Sequence, residues 1–355
     1  MKAVTSRRPR PAVGRAARIP RVSAVVPNYN GRVWLAGCLD SLAAQDCPGL
    51  EIILVDDAST DDSVAWVRRR YPRVRVVALE KNLGFAGACN AGASAARGRF
   101  IALVNNDTLF SPQLLSGLSR VLETSPRVGV VSPRIDNLNL DMSAFPHAGT
   151  LSVTGVTIQN VIADPRVIFG APGALLMFRR ELAPPFDTDY RFFHEDVYLS
   201  WRAWFTGYTV ATAPELSAKH LGSATVKSSP ARNAWLTERN RWLNALLFWS
   251  PGTLGRLLPL WLTALLLEFL SDLFSGRGVG YRLKAYLWIA GHAGTVARKR
   301  RALQAQRRAA DAVVLRLLSC RITNAGHGPA RALNALACAW CRWAGLNTWE
   351  LSPHA

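Results

Sequence analysis

The run from Arg99 to Thr108, RFIALVNNDT, constrains the chain more than any other stretch: five consecutive apolar residues, Phe100 to Val104, stop abruptly at Asn105, Asn106 and Asp107. So short an unbroken apolar run reads as a strand buried on both faces. A carboxylate at the carboxyl end of such a strand needs a reason. In open α/β sheets ligands collect in the crevice outside those strand ends, where Asp107 would face a metal or a phosphate-bearing ligand. A simple Asn-Asp turn, with Ser111-Pro112 opening the next helix, explains the same letters without a ligand. The other strand ends have to decide between the two.

Val22 to Pro27 (VSAVVP) is a β-branched run followed by the turn Asn28-Tyr29-Asn30-Gly31 and a helical pattern through Trp34, Leu35, Cys38, Leu39 and Leu42. Leu50 to Val55 is the next strand; it ends in Asp56-Asp57-Ala58-Ser59-Thr60-Asp61, ahead of a helix through Val64, Trp66 and Val67. Val74 to Leu79 is a third strand. Lys81 to Asn90 reads as a glycine-bearing loop before an alanine-rich helix that Gly98 terminates. Arg99 to Val104 and Val128 to Ser132 are the fourth and fifth strands. Strand–helix alternation with short connections means a mostly parallel, doubly wound α/β sheet. Three strands then end in polar clusters on one rim, which favours a ligand site.

The 355 residues, 49% hydrophobic, suffice for a large domain with an appendage. The net charge of +19 sits at the ends: residues 1–21 carry seven basic groups and no acid, and residues 277–342 carry thirteen against Asp311 alone. The body between them is balanced. Basic ends suit an anionic membrane surface; a nucleic-acid-binding protein with an inactive α/β domain would need a basic body, so no nucleic acid is expected. The six cysteines lack the spacing of a disulfide framework or a zinc site, and Cys338 and Cys341 read as small apolar residues on a helix. With no secretory signal evident, a reducing cytoplasm is the expected home. Neither GxGxxG after the first strand nor GxxxxGK[ST] occurs, which excludes dinucleotide and P-loop chemistry.

The stretches VSAVVPNYNG, LVDDASTDDS, KNLGFAGACNAG and VNNDT, in that order, resemble the family-2 glycosyltransferases with the GT-A fold. The likeness continues through FGAPGALLMFRREL, FHEDVYLSWRAWFTGY and AKHLGSAT, covering roughly residues 21–249, and is strongest toward rhamnosyltransferase-like bacterial enzymes of cell-surface polysaccharide synthesis. It implies transfer of a sugar, possibly from dTDP-rhamnose, from a nucleotide donor to a lipid-linked or glycan acceptor, with Mg²⁺ or Mn²⁺ as cofactor. Pro27, Tyr29 and Asn30 would line the nucleoside pocket, and Asp56 or Asp57 would bond the base. Asn82, Gly84 and Asn90 would shape the nucleotide-side loop, with Asn106 in the same set. Asp107 closes the metal-binding DxD-type motif, whose first acidic position is here Asn105. One carboxylate then meets the metal, and substrate phosphate and water must supply the rest.

In the second half, Gly170 to Arg179 reads as loop and strand, and Glu195-Asp196 opens a helix that Gly207 ends. Acids there also suit the helix dipole. By the resemblance, His194-Glu195-Asp196 is the family's HED signature and Asp196 its general base; Tyr198 stands where relatives often carry another acid. His220 matches a histidine able to act as a further metal ligand. Glu238 to Trp242 (ERNRW) is loosely similar to a QxxRW element, which would put Arg239, Arg241 and Trp242, with Glu195, near acceptor or diphosphate; the same letters also suit a solvated helix face with Trp242 inward.

Three regions are expected: a basic disordered tail over 1–21, a GT-A domain over 22–249, and a membrane-associating helical region over 250–355. Leu257 to Leu267 is uncharged but bracketed by Arg256, Glu268 and Asp272, and falls short of the roughly 20 apolar residues a span needs. Followed by basic helical stretches over 281–289, 298–308, 313–318 and 332–343, it suggests a peripheral attachment to the inner face of the plasma membrane. No sequence feature sets an oligomeric state.

Overall fold

The computed structural model describes residues 21–138, 150–158, 167–222, 229–274, 279–324 and 328–351. Of the expected basic tail only Arg21 falls among them, where it pairs with Glu123.

The first half alternates as expected: β1 (Val22–Asn28), α1 (Arg32–Ala43), β2 (Glu51–Asp56), α2 (Ser63–Arg70), β3 (Arg75–Ala78), α3 (Gly84–Ala95), β4 (Phe100–Val104), β5 (Thr108–Phe110), α4 (Leu114–Thr124) and β6 (Val128–Asn137). Then come the short pair β7 (Thr150–Leu151) and β8 (Thr157–Ile158), β9 (Leu175–Arg179), α5 (Glu195–Phe205) and β10 (Thr209–His220). Eight strands form one sheet in the order β3-β2-β1-β4-β9-β6-β10-β5. The β3-β2-β1-β4 half is parallel; β9 runs antiparallel to both neighbours, so the sheet beyond β4 is mixed. Successive residues of the central strands point to opposite faces and both faces are covered. Val25, Ile53, Val55, Ile101 and Leu103 pack toward α3 and α5. Val22, Ala24, Val26, Leu54, Phe100 and Ala102 pack toward α1 and α4. That is why these strands read as unbroken apolar runs.

Two differences from the sequence reading matter for the site. The helix expected after a loop reaching Asn90 instead begins at Gly84, where a φ of +78° and the 3.0 Å that would separate a Cβ from the Arg191 carbonyl oxygen favour glycine. The strand expected to end at Ser132 runs on to Asn137, because its outer half pairs with β10 beyond an irregularity near Ala213 to Ser217. That pairing sets His220 opposite Asn137, and β10 sets the same residue opposite Thr108 of β5.

The C-terminal helices are α6 (Pro230–Phe248), α7 (Pro251–Phe274), α8 (Gly280–Gly291), α9 (Ala293–Gln304), α10 (Asp311–Leu315) and α11 (Gly328–Trp343). They are not a loose appendage: the core on the α3/α5 face of the sheet continues without a break through Leu243, Trp261, Leu303, Leu315 and Cys341. The expectation that the apolar run is too short is corrected. It lies within a 24-residue helix, α7, long and apolar enough by length and composition to cross a membrane. The charges that interrupted it in sequence are absorbed by partners: Arg256 donates to the Ala344 carbonyl, and Glu268 and Asp272 pair with Arg241 and Arg282. Part of the basic stretch also faces inward, since Lys299, Arg300 and Arg307 bond Asp187, the Trp249 carbonyl and Asp311. Cys341 is buried as expected, but Cys338 is disulfide-bonded to Cys320. The expectation that Cys338 is simply a small apolar residue on a helix is corrected by this bond.

Candidate active site

A cleft of about 560 Å³ opens at the carboxyl ends of the parallel strands. Pro27, Asn28, Tyr29 and Asn30 wall one side, Asp57, Asn82 and Gly84 another, and Asn105, Asn106, Asp107 and His220 its far end. The strand ends are braced against one another. Asn106 donates to Asn28 Oδ1 at 2.8 Å, and Asn28 donates to Asp56 Oδ1 at 3.1 Å. Gly31 sits against this brace; a Cβ there would lie 2.1 Å from Asn106 Nδ2. Asn30, in the left-handed region with φ 49°, accepts from the Thr60 amide at 2.7 Å, leaving Tyr29 half exposed at the rim. Asp57, and not Asp56, borders the cleft, its carboxylate accepting the Leu83 and Gly84 amides at 2.6 and 2.9 Å. Burial raises its pKa. Asp56 lies behind Asn28 and accepts the Ser59 amide.

At the far end Asp107 Oδ1 lies 3.1 Å from His220 Nε2. His220 Nδ1 donates to Asn137 Oδ1 at 2.7 Å, an oxygen that can only accept, which leaves Nε2 facing the carboxylate. Buried beside them, Asn105 Oδ1 has no hydrogen-bond partner. An imidazole nitrogen, a carboxylate and an orphaned amide oxygen at one spot are a donor set that fits a divalent cation. Among the described residues no group of three His, Cys, Asp or Glu side chains forms, so phosphate and water would complete the coordination.

Arg191 and Phe192 continue the cleft wall, and three residues on the chain enters α5 at Glu195-Asp196. Asp196 Oδ2 accepts the Gly173 amide at 3.0 Å and Oδ1 the Val197 amide at 2.7 Å, while burial raises its pKa. Glu195 is buried, its Oε2 has no partner, and burial together with the Asp196 charge pushes its pKa up to about 8. Burial thus favours the protonated form of the pair, most strongly at Glu195, where the neighbouring Asp196 charge adds to it. His194 is pushed down to about 4 by burial and by the nearby Arg241, and so is neutral.

With this geometry in view, the comparisons with known proteins are specific. The family profile described as Glycosyl transferase family 2 matches residues 23–183. Over that segment, a little under half of its length, the chain is similar to glycosyl transferase family 2. It is 37% identical over 124 residues to the succinoglycan biosynthesis protein ExoO of Rhizobium meliloti (strain 1021), covering 35% of this chain and 34% of that one. To the glycosyltransferase alr2836 of Nostoc sp. (strain PCC 7120 / SAG 25.82 / UTEX 2576) it is 33% identical over 198 residues, covering 53% and 57%. The matches thus span between a third and about three-fifths of these relatives. The mannosyltransferase PcManGT from Pyrobaculum calidifontis, solved with GDP-Man and Mn2+, superposes with a TM-score of 0.52 at 21% identity over 95% of this chain and 89% of that one. The fold is GT-A.

Seven residues expected at the site do not line the cleft: Asp56, which lies behind Asn28, Glu195 and Asp196 at the start of α5, and Asn90, Arg239, Arg241 and Trp242. Asn90 does not line the cleft: as part of α3 its amide clasps the Phe186 backbone, donating at 2.8 Å and accepting at 3.1 Å. Arg239 is buried, stacked between Trp235 and Trp288, and donates to the Asp189 carbonyl. Arg241 is buried in ion pairs with Glu238 and Glu268, and Trp242 donates to Glu238 while packing on Trp261. The ERNRW segment is thus a buried seam, neither a solvated face nor a substrate contact. The structure adds Arg191 and Arg232 as cationic residues lining the cleft. The signal for Arg191 was its place just before the HED motif; Arg232, two residues after Pro230, carried none.

Proposed function

We propose that this protein is a metal-dependent inverting glycosyltransferase moving a sugar from a nucleoside-diphosphate donor to a glycan or lipid-linked acceptor in cell-surface polysaccharide synthesis. The observation that carries the reading is a single cleft with Asp107 and His220 at its far end and, in its wall, the strap that runs directly into Glu195-Asp196. The base seats between residues 27–30 and the Asp56-Asp57 strand end. Asp107 and His220 hold the cation, which when bound neutralises the departing diphosphate. Arg191 and Arg232 add positive charge along the same wall. Asp196 takes the acceptor hydroxyl proton as that oxygen bonds to the anomeric carbon, from the face opposite the leaving nucleotide, which inverts its configuration. Its raised pKa makes it a stronger base than an ordinary aspartate.

The helical region supports a membrane partner. Leu262, Leu266 and Leu273 of α7, Leu283 and Leu287 of α8, and Leu336 and Trp343 of α11 are all more than half exposed. So large an outward apolar surface marks an interaction face. Exposed Arg256, Lys284, Arg331 and Arg342 flank it, a charge pattern complementary to anionic lipid at the inner face of the plasma membrane.

A thermal-shift panel of dTDP-rhamnose, UDP-glucose, UDP-galactose and GDP-mannose, each with and without Mn²⁺, tests the reading. A donor that binds only the native state raises the melting temperature, and should do so more strongly with metal. Transfer from that donor should give a product of opposite anomeric configuration by NMR. No stabilisation by any nucleotide sugar, or retention of configuration, overturns it.

A further inference from the structure

Residues 187–194 form a strap that runs from the cleft wall at Arg191 and Phe192 toward Asp196, and its conformation is not one these residues adopt unaided. Arg191, Phe193 and His194 all lie in the left-handed region, with φ of 55°, 68° and 61°. Three such residues within four, none of them glycine, persist only where surrounding structure over-determines the backbone. On one side the strap meets the donor half: the Arg191 carbonyl accepts the Ala86 amide at 3.0 Å, and the Arg191 guanidinium donates to the Asn82 carbonyl at 3.4 Å. On the other it becomes the first turn of α5, bearing Asp196.

What holds it is α6. Asn240, fully buried, turns its amide NH₂ to the carbonyls of Tyr190, Phe192 and Phe193 at 3.0, 3.0 and 2.8 Å. Its Oδ1 accepts from Arg239 Nε and Nη2 at 3.0 and 2.9 Å, which fixes which way the amide points. Asn244, one turn along, accepts the Tyr190 hydroxyl at 2.7 Å. From α9, Lys299 Nζ reaches Asp187 Oδ1 and Asp189 Oδ2, both at 2.6 Å. Every one of these bonds is made by the helical region that follows the sheet, and every carbonyl that Asn240 engages lies within six residues of Asp196.

We infer that Asn240 is a positioning residue: its amide holds the strained strap so that Asp196 and Arg191 stand together against the same bound donor. A carboxamide is needed, because the role takes a double donor with an acceptor that Arg239 can orient, and the short side chain of asparagine brings it within 3.0 Å of the strap carbonyls. Aspartate would set an anion against three carbonyl oxygens, and leucine would leave them buried and unpaired. The C-terminal helices thus complete the catalytic machinery as well as forming the apolar face. This inference rests on the assignment of Asp196 as base.

The test uses the full-length protein, with active sites counted by nucleotide binding in the presence of Mn²⁺. Asn240→Ala should bind the donor with near wild-type affinity, keep its donor KM, and lose kcat by about 10²-fold, the cost of a misplacement near 1 Å. Lys299→Met, at the partly exposed outer end of the strap, should lower kcat in the same direction by less, with its melting temperature preserved. A purely structural role moves the count of active sites and leaves kcat per site unchanged; that result overturns the inference, as does wild-type kcat in both variants. If Asn240→Ala does not fold, Lys299→Met decides by the same split. Asp196→Asn separates the two ideas. If it transfers sugar normally, the assignment of the base fails; if it is inactive while Asn240→Ala is normal, only the positioning role fails.

Discussion

Asp107 Oδ1 and His220 Nε2 lie 3.1 Å apart although they come from opposite halves of the chain. Sheet register puts them there: β10 pairs with β5 so that His220 faces Thr108, the residue after Asp107, and with β6 so that it faces Asn137. Asn137 sets the ring tautomer, and Asn105 lies 3.4 Å from Nε2.

The first prediction follows from that pair. Asp107→Asn keeps the shape and removes the charge, so turnover should fall by about 10²–10³-fold, the usual cost of losing a preorganised electrostatic group. Nucleotide binding without metal should change little, while the Mn²⁺-dependent increment, measured by calorimetry, should vanish. Wild-type turnover in the variant, or full activity of the native enzyme in excess EDTA, would sink the assignment.

The carboxylate pair gives a prediction whose sign can be worked out. Burial and the Asp196 charge hold the Glu195 pKa at about 8, above the 4.5 of an unperturbed glutamate. Between those values the folded state binds more protons than the unfolded one, so stability falls as pH rises from 4.5 to 8. Glu195→Gln removes this term. Its melting temperature relative to wild type should therefore rise from pH 5 to about pH 8 and level off above that, and a flat difference across the range would refute the raised Glu195 pKa. Asp196→Asn should retain donor binding and lose transfer by roughly 10²–10⁴-fold, the usual worth of a general base.

The parallel half of the sheet and its polar rim were legible because both rest on local signals: apolar runs buried on two faces, each stopped by Asn or Asp. Asn90 was misplaced because Gly84, read as part of a loop, serves as the first residue of a helix, turning the Asn90 amide toward Phe186. The ERNRW segment was misread for a different reason. Arginines in a helix suggest a wet or phosphate-facing surface, and only tertiary structure shows that Arg239 meets strap carbonyls while Arg241 meets carboxylates from two helices. The strap itself could not be read from the letters, since Arg and Phe carry no propensity for the left-handed region.

The outward face of α7 should be the membrane contact. Leu262, Leu266 and Leu273 are exposed on one side, whereas Leu257, Leu260, Trp261 and Ala264 are buried on the other. Leu262→Gln with Leu266→Gln therefore leaves the core intact, and should release the protein from anionic vesicles without lowering its melting temperature. Unchanged co-sedimentation with vesicles would exclude this face as the anchor. A salt-insensitive attachment with protease-accessible sites on both sides of the bilayer would show that α7 spans. A shift of dimer mass in the double variant, with vesicle binding intact, would assign the face to a second copy of the chain.

The last prediction concerns what fastens α7 and α8 to the catalytic body. Arg282 of α8 donates to Glu238, Glu268 and Asp272 at 2.9, 2.6 and 2.7 Å, and Glu238 also accepts from Arg241, Trp242 and Tyr286 at 3.1, 2.9 and 2.6 Å. Two guanidinium groups thus face three carboxylates, which leaves the cluster one negative charge in excess, with Glu238 and Asp272 almost fully buried. The gain from such a cluster over apolar packing is small, because desolvation offsets most of the attraction. Removing one partner is costly, since it strands charge in the interior. Arg282→Met should therefore destabilise by about 3–5 kcal/mol in urea unfolding. Adding Glu238→Gln should recover part of that loss, because the charge left facing Arg241 is then better balanced. The coupling between the two substitutions separates an electrostatic fastening from simple packing: if their effects add, the cluster holds α8 by volume alone, and the ion pairs contribute nothing to the docking of the helical region.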